Sequence, residues 1–97
     1  MSILLVTLNV RPGEEGRLVK VFSGTFRPAV SGQPGFRNVA LLRPAAAGQP
    51  WLLDIRFATE PDRLTWVDTP LHQEVWPQVE SLCERAEPVL YEYADQA

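Results

Sequence analysis

The stretch Phe57–Trp76, FATEPDRLTWVDTPLHQEVW, is the segment around which the rest of the chain is organised. It contains the single histidine, His72, and two of the three tryptophans, Trp66 and Trp76. Two helix starts fall within these twenty residues, so the chain is interrupted between the first indole and the imidazole. A histidine and an indole beside such a break can line a pocket, and they can equally be packing residues.

The two helix starts follow from local chemistry. Thr59 is suited to cap the first helix, and Asp62, three residues later, completes a capping box and suits the positive end of the helix dipole. Thr69 followed by Pro70 restarts a helix, because proline fits the first helical turn, where its missing N–H is not needed. We therefore expect two consecutive helices here.

Hydrophobic patterning outside this stretch predicts four strands and one more helix. The strands are ILLVTLNV (3–10), FRNVALLR (36–43), WLLDIRFA (51–58) and a last one over residues 89–93. A helix through about residue 30 follows the first strand, with a kink expected at Pro28. Pro77 is expected to divide the later helical segment, which reaches about Ala86 and includes Cys83. The resulting order βαββαβ is the ferredoxin-like α+β fold, with a four-stranded antiparallel sheet.

This topology leaves one sheet face without helices. Right-handed crossovers place both helical segments on the same face of the sheet. Every predicted strand nevertheless carries apolar residues on both faces for part of its length. Because an exposed apolar sheet face is an association surface, we expect a homodimer packed sheet against sheet.

Composition limits the class of protein. Ninety-seven residues predict one domain, 1–97. A net charge of −3 without a basic run argues against a nucleic-acid partner. No apolar run is long enough to span a bilayer, and the N-terminal segment lacks signal-peptide features, so a cytoplasmic location without a membrane partner is expected. One cysteine excludes an internal disulfide, and one histidine with one cysteine gives no metal site.

Several motifs, in this order and spacing, resemble the antibiotic biosynthesis monooxygenase (ABM) domain family. They are Arg11-Pro12-Gly13-Glu14-Glu15 after the first strand, Gln33-Pro34-Gly35-Phe36, Phe57-Ala58-Thr59, and Trp66-Val67-Asp68-Thr69-Pro70-Leu71-His72. The resemblance covers nearly the whole chain and implies a ferredoxin-like fold that dimerises into an α+β barrel. It also implies a range of functions, because family members include cofactor-free oxygenases of aromatic polyketides, quinol oxygenases and haem-degrading enzymes.

The haem-degrading branch is disfavoured by the residues. That branch uses an asparagine on the first strand, a tryptophan and an axial histidine on the second helical segment. Trp66 matches the tryptophan, but Val6 falls at the asparagine position and Trp76 at the axial position. Asn9 is out of register by three residues. We therefore expect no cofactor.

A cofactor-free oxygenase needs a site that binds an aromatic substrate, removes a proton and excludes water. The candidate base is His72, whose pKa ordinarily lies near neutrality. Trp66 is expected to act with it by closing the apolar side of the site. Further apolar walls and hydrogen-bonding groups for a small aromatic substrate are expected from Phe22, Phe26, Trp76, Asn9, Asn38 and Arg56.

Each of these residues has a structural alternative. His72 is equally suited to be a helix-start residue bonded to a neighbour or to water. Trp66, Phe22 and Phe26 are suited to the core, and Arg56 can simply pair with Asp54. The hypothesis of a monooxygenase acting on a phenolic, quinol or polyketide-like substrate therefore stands beside that of a non-catalytic dimer, which binds a hydrophobic small molecule or serves only as a structural partner. A pocket holding His72 and another polar group favours the first; a pocket filled by aromatic rings favours the second.

Overall fold

The nine-residue strand at the start of the chain is the centre of the architecture, since it pairs with a neighbour on each side. The computed structural model describes residues 1–97. Its strands are β1 Ser2–Val10, β2 Phe36–Leu42, β3 Trp51–Phe57 and β4 Cys83–Tyr91. Its helices are α1 Glu15–Val21, α2 Arg27–Ser31, α3 Glu60–Val67 and α4 Pro70–Glu80, with a π-helical turn, Phe22–Phe26, between α1 and α2.

The four strands form one antiparallel sheet in the order β2-β3-β1-β4. The predicted α+β, ferredoxin-like βαββαβ fold is therefore confirmed. In the register, Leu4 of β1 lies between Ile55 of β3 and Leu90 of β4, so these three side chains share one sheet face. None of the helices is long and apolar enough to cross a membrane.

The core lies between this sheet face and the helices. β1 and β3 contribute alternate residues, because successive side chains of a strand point to opposite faces. Both helical segments pack against them, so they cover the same face. The buried cluster includes Val6, Leu8, Leu53, Ile55 and Phe57 from the sheet, and Leu18, Phe26, Val30, Trp66, Val75 and Val79 from the helices.

The first helical segment differs from the prediction of a kinked α-helix. It contains a π-helical turn, in which the N–H of Arg27 bonds to the carbonyl of Phe22, five residues earlier. Pro28, at the beginning of α2, has no N–H with which to continue the α-helical ladder. The wider turn before this proline leaves Phe22 and Phe26 both buried.

The second helical segment and the last strand also differ from the prediction. Pro77 does not divide α4, because its ring lies on the exposed side of the helix and the carbonyl it leaves unpaired can be hydrated. The helix ends at Glu80 rather than near residue 86, and β4 begins at Cys83 rather than Val89. Pairing with residues 3–10 of β1 extends this strand. Cys83 is accordingly a buried strand residue, not a helical one, and burial raises the pKa of its thiol.

The sheet face opposite the helices carries no covering layer within the chain. Asp54 and Arg56 of β3 lie there, since they alternate with the core residues Leu53 and Ile55. Arg56 Nε and Nη2 donate to the Asp54 carboxylate at 3.1 and 3.0 Å. The surrounding exposed apolar and aromatic residues include Leu42, Val89, Tyr91 and Tyr93.

Candidate functional site

A cavity of about 370 Å³ lies between the sheet and the second helical segment. Its volume is within the range of small-molecule pockets. Eight of its eleven lining residues are hydrophobic, and among the remainder are two titratable side chains, Arg63 and His72. The sheet side of the wall is made by Leu4, Val6, Ile55, Pro88 and Leu90.

Phe26 is the aromatic residue that links the two indoles of the cavity wall. Its ring lies 6.2 Å from that of Trp66 and 6.2 Å from that of Trp76, in edge-to-face geometries. Phe22 stacks behind Phe26 at 6.4 Å and does not line the cavity. The aromatic rings therefore form walls around an open space and do not fill it.

The two predicted helix starts bring Trp66 and His72 together. Thr59 Oγ1 accepts a hydrogen bond from the N–H of Asp62 at 3.2 Å, and Thr69 Oγ1 accepts one from the N–H of His72 at 3.1 Å. The chain turns between α3 and α4, so both rings reach the same cavity. Their centroids are 5.0 Å apart, with the planes nearly perpendicular at 82°.

His72 is held as a neutral imidazole near neutral pH. Burial lowers its pKa, and the positive charge of Arg63 lowers it further. Its backbone lies in the first turn of α4, where the helix dipole also disfavours a positive charge. The side-chain amide of Gln73 donates to the carbonyl of Val67 at 2.9 Å and lies 3.4 Å from His72 Nδ1. This contact is long and does not fix the tautomer; Nε2 can accept a proton only in the tautomer that carries its hydrogen on Nδ1.

Arg63 is a cavity residue that the sequence interpretation missed. It pairs with Glu60 of the same helical turn, and its side chain is only 12% exposed. The available signal was its spacing, since Glu60, Arg63 and Trp66 follow one another at three-residue intervals and therefore share one helix face.

Three residues expected to donate hydrogen bonds in the site lie elsewhere. Asn9 is exposed near the end of β1 and borders a different depression. Asn38 is exposed and lies opposite Arg56 in the β2–β3 pair. Arg56 lies on the uncovered sheet face, where it pairs with Asp54. None of the three lines the cavity. Strand alternation directs Arg56, and Asn38 opposite it, away from the face that carries Ile55.

The residues of the cavity do not match the haem-degrading arrangement. Val6 and Trp76, which stand at the expected asparagine and axial-ligand positions, both line the cavity. Val6 has no hydrogen-bonding side chain, and the indole of Trp76 has no acceptor nitrogen to ligate iron. No group of three or more histidine, cysteine or acidic side chains lies close enough together to hold a metal ion.

Comparison with known proteins gives one family and a set of similar folds. A family model described as antibiotic biosynthesis monooxygenase (ABM) matches residues 1–77. No curated protein sequence matches the chain significantly.

Three similar solved structures illustrate the range of the fold. SnoaB, a cofactor-independent oxygenase from Streptomyces nogalater, superposes with a TM-score of 0.86 at 16% identity, covering 98% of this chain and 94% of its own. MhuD, a heme-degrader from Mycobacterium tuberculosis, superposes with a TM-score of 0.81 at 18% identity, covering 100% of this chain and 99% of its own. Rv0793 from the same organism superposes with a TM-score of 0.81 at 18% identity, covering 99% of this chain and 97% of its own. At these identities the likeness shows the fold alone.

Proposed function

Because this chain belongs to the antibiotic biosynthesis monooxygenase family, we propose that it is a cofactor-independent monooxygenase of a phenolic, quinol or polyketide-like aromatic substrate. One observation carries the proposal: the cavity is open, has aromatic walls, and contains a neutral histidine together with a second polar side chain. A purely packing role for these residues predicts a filled interior instead.

In the proposed reaction, His72 accepts a proton from the substrate hydroxyl or from an acidic ring C–H. The resulting anion gives one electron to dioxygen, and the substrate radical combines with superoxide to form a peroxide anion at a ring carbon that still bears a hydrogen. The imidazolium of His72 then returns its proton to the outer peroxide oxygen. Loss of water from the peroxide leaves a carbonyl, so one oxygen atom enters the product and the other leaves as water. The four electrons that reduce dioxygen all come from the substrate carbon, and no external reductant is needed.

The cavity walls have a defined part in this scheme. Trp66 is 2% exposed and contacts both the His72 ring and Phe26. It can therefore exclude water from the charged intermediate and hold the substrate ring against the base. The apolar surroundings also favour the neutral imidazole, which is the form that a base requires.

The role of His72 as a base is tested with the His72→Ala variant, assayed together with Trp66→Phe. Gln78→Ala, on the exposed side of α4, is the matched control. Loss of a positioned base should lower the turnover of a hydroquinone that the wild type oxidises about 10²-fold or more. Gln78→Ala should keep the activity of the wild type. Full activity in a folded His72→Ala protein would contradict the assignment.

The pH profile separates a base from a hydrogen-bond donor. A base loses activity when pH falls through its pKa, because the protonated ring cannot accept a proton. A ring N–H donor keeps its activity there, because the imidazolium also donates. We expect kcat/KM to fall on the acid side with a pKa below the ordinary value for histidine, and the absence of that acid limb would exclude His72 as the base.

We also propose a homodimer formed through the uncovered sheet face. The support is the exposed apolar set on that face, including Leu42, Val89 and Tyr91. Asp54 and Arg56 are already paired with each other, so their charges do not prevent association. A stable interface of this kind buries on the order of 1,600 Å² in total.

A further inference from the structure

The guanidinium of Arg63 has an unused donor beside the cavity. Its Nε and Nη2 donate to the two carboxylate oxygens of Glu60 at 2.6 and 2.8 Å. Nη1 makes no hydrogen bond within the chain. Since no buried side-chain nitrogen or oxygen is left without a partner, Nη1 is not fully buried. Arg63 lines the cavity, so this donor is available to a bound molecule.

Glu60 holds this donor in place from outside the cavity. It borders a separate depression at the end of the sheet, together with Ser2, whose Oγ donates to Glu60 Oε1 at 2.8 Å. The hydrogen bonds from Arg63, followed by the one from Ser2, lower the pKa of Glu60, which remains ionised. The plane of the guanidinium is therefore fixed, with one edge occupied by Glu60 and Nη1 outside that paired edge.

The charges around the cavity are unequal. The Glu60 side chain is 39% exposed, so water screens it, whereas the Arg63 side chain is 12% exposed. The cavity has no acidic lining residue, and its other titratable group, His72, is neutral near pH 7. A positive residue in the wall of an apolar cavity without a carboxylate favours an oxyanion, because charge-assisted hydrogen bonds are the strong ones in such surroundings.

We propose that Arg63 is a specificity-determining residue that binds an oxyanion of the aromatic ligand through Nη1, so that the cavity prefers acidic aromatics to their neutral analogues. The oxyanion is either a carboxylate or an ionised ring hydroxyl, and both present the same acceptor. The inference rests on the proposed function for the identity of the ligand as substrate, but binding can be measured without turnover.

The experiment is calorimetric titration with two matched pairs of two-ring probes. One pair is 1-naphthoate and 1-naphthamide; the other is 2-hydroxy-1,4-naphthoquinone, ionised at neutral pH, and its methyl ether. The wild type should bind the anion of at least one pair about 10- to 100-fold more tightly than its neutral partner. The pair that shows the preference identifies the source of the oxyanion.

Arg63→Gln should remove this preference while leaving the affinity for the neutral probes nearly unchanged. The double variant Glu60→Gln/Arg63→Gln should behave in the same way, and it avoids an unpaired carboxylate. Arg17→Gln is the matched control, because Arg17 also pairs with a glutamate three residues earlier but is exposed. It should keep the preference of the wild type.

Equal affinity of the wild type for anionic and neutral probes overturns the proposal, and so does the absence of binding by all four at millimolar concentration. A preference that survives in both Arg63 variants overturns it as well. Oxygen uptake by the same protein variants, supplied with hydroquinones and anthrones in place of the binding probes, separates this inference from the proposed function. Anion-selective binding without oxygen uptake would refute only the oxygenase, whereas oxygen uptake without an Arg63-dependent preference for the anionic probes would refute only the anion recognition.

Discussion

Replacing Gly35 with alanine should destabilise the protein through the helix that carries Trp66 and Arg63. Gly35 has a φ of +79°, a conformation that residues with a Cβ rarely adopt. A Cβ built on it would lie 2.2 Å from Asp62 Oδ2, 2.5 Å from Asp62 Cγ and 2.8 Å from Asp62 Cβ. The carbonyl of Gly35 also accepts from the N–H of Ala58 at 2.7 Å, immediately before α3.

Two separate costs determine the size of the effect. The left-handed backbone conformation costs about 1–2 kcal/mol for a residue with a Cβ. Relieving the overlap with Asp62, which belongs to α3, should add about 1–3 kcal/mol, the usual cost of overpacking. The sum is about 2–5 kcal/mol in the free energy of unfolding. For a domain of this size that corresponds to a fall in Tm of at least about 10 °C.

Gly13 provides a matched control for the backbone cost. Its φ is +86°, but an added Cβ would meet nothing within 4 Å. Gly13→Ala should therefore cost only about 1–2 kcal/mol. Urea unfolding of both variants measures the difference. In an Asp62→Ala background, Gly35→Ala should cost less than it does in the wild type, because two of the three close contacts disappear.

Equal destabilisation by Gly35→Ala and Gly13→Ala would show that the overlap with Asp62 costs nothing. So would an unchanged cost of Gly35→Ala in the Asp62→Ala background. Either result would mean that the turn before β2 does not position α3.

Three further predictions concern protonation, assembly and haem. The pKa of His72 is lower in the folded protein than in the unfolded chain, where it is about 6.5. The neutral imidazole therefore contributes its full stability above about pH 6.5. This contribution is lost as the pH falls from there toward the folded pKa. Between about pH 8 and about pH 5, the wild type should therefore lose more unfolding free energy than His72→Asn; equal losses would contradict the burial argument. Light scattering at micromolar concentration should give the mass of a dimer, and Leu5→Glu on the uncovered sheet face should give a monomer; a monomeric wild type would rule out the proposed interface. Addition of haemin should produce no sharp stoichiometric Soret band, and such a band that disappears in His72→Ala would show that His72 ligates iron.

The sequence was sufficient to predict most of the fold because its signals are local. Caps at Thr59 and Thr69 are made by side chains three residues from their partners, so a short window contains all the information. The apolar alternation of β1 and β3 likewise indicates which face is buried.

The last strand could not be predicted in this way, because its extent depends on a distant partner. Residues 83–88 include three charged residues and a proline, a composition that does not suggest a strand by itself. β4 lies at the edge of the sheet and pairs only with β1, so an exposed, charged strand with a proline is tolerated. The pairing of Val10 with Cys83, rather than local propensity, marks where this strand begins.

The candidate site was predicted less completely than the fold. Trp66 and His72 could be placed together because the break at Thr69 was visible. Arg56 could have been excluded from the cavity, since it alternates with Ile55 along β3. Arg63 was overlooked because a charged helical residue is usually solvent-exposed, and its burial depends on tertiary packing.

The central claim, oxygenation without a cofactor, is tested most directly by oxygen uptake with ¹⁸O₂. The purified protein, treated with a chelator and given no added haem, metal or flavin, would be assayed against a panel of hydroquinones and anthrones. A cofactor-independent oxygenase should consume one dioxygen per substrate, with one labelled oxygen atom in the product and the other in water. No uptake with any member of the panel, or uptake only after a cofactor is supplied, would contradict it.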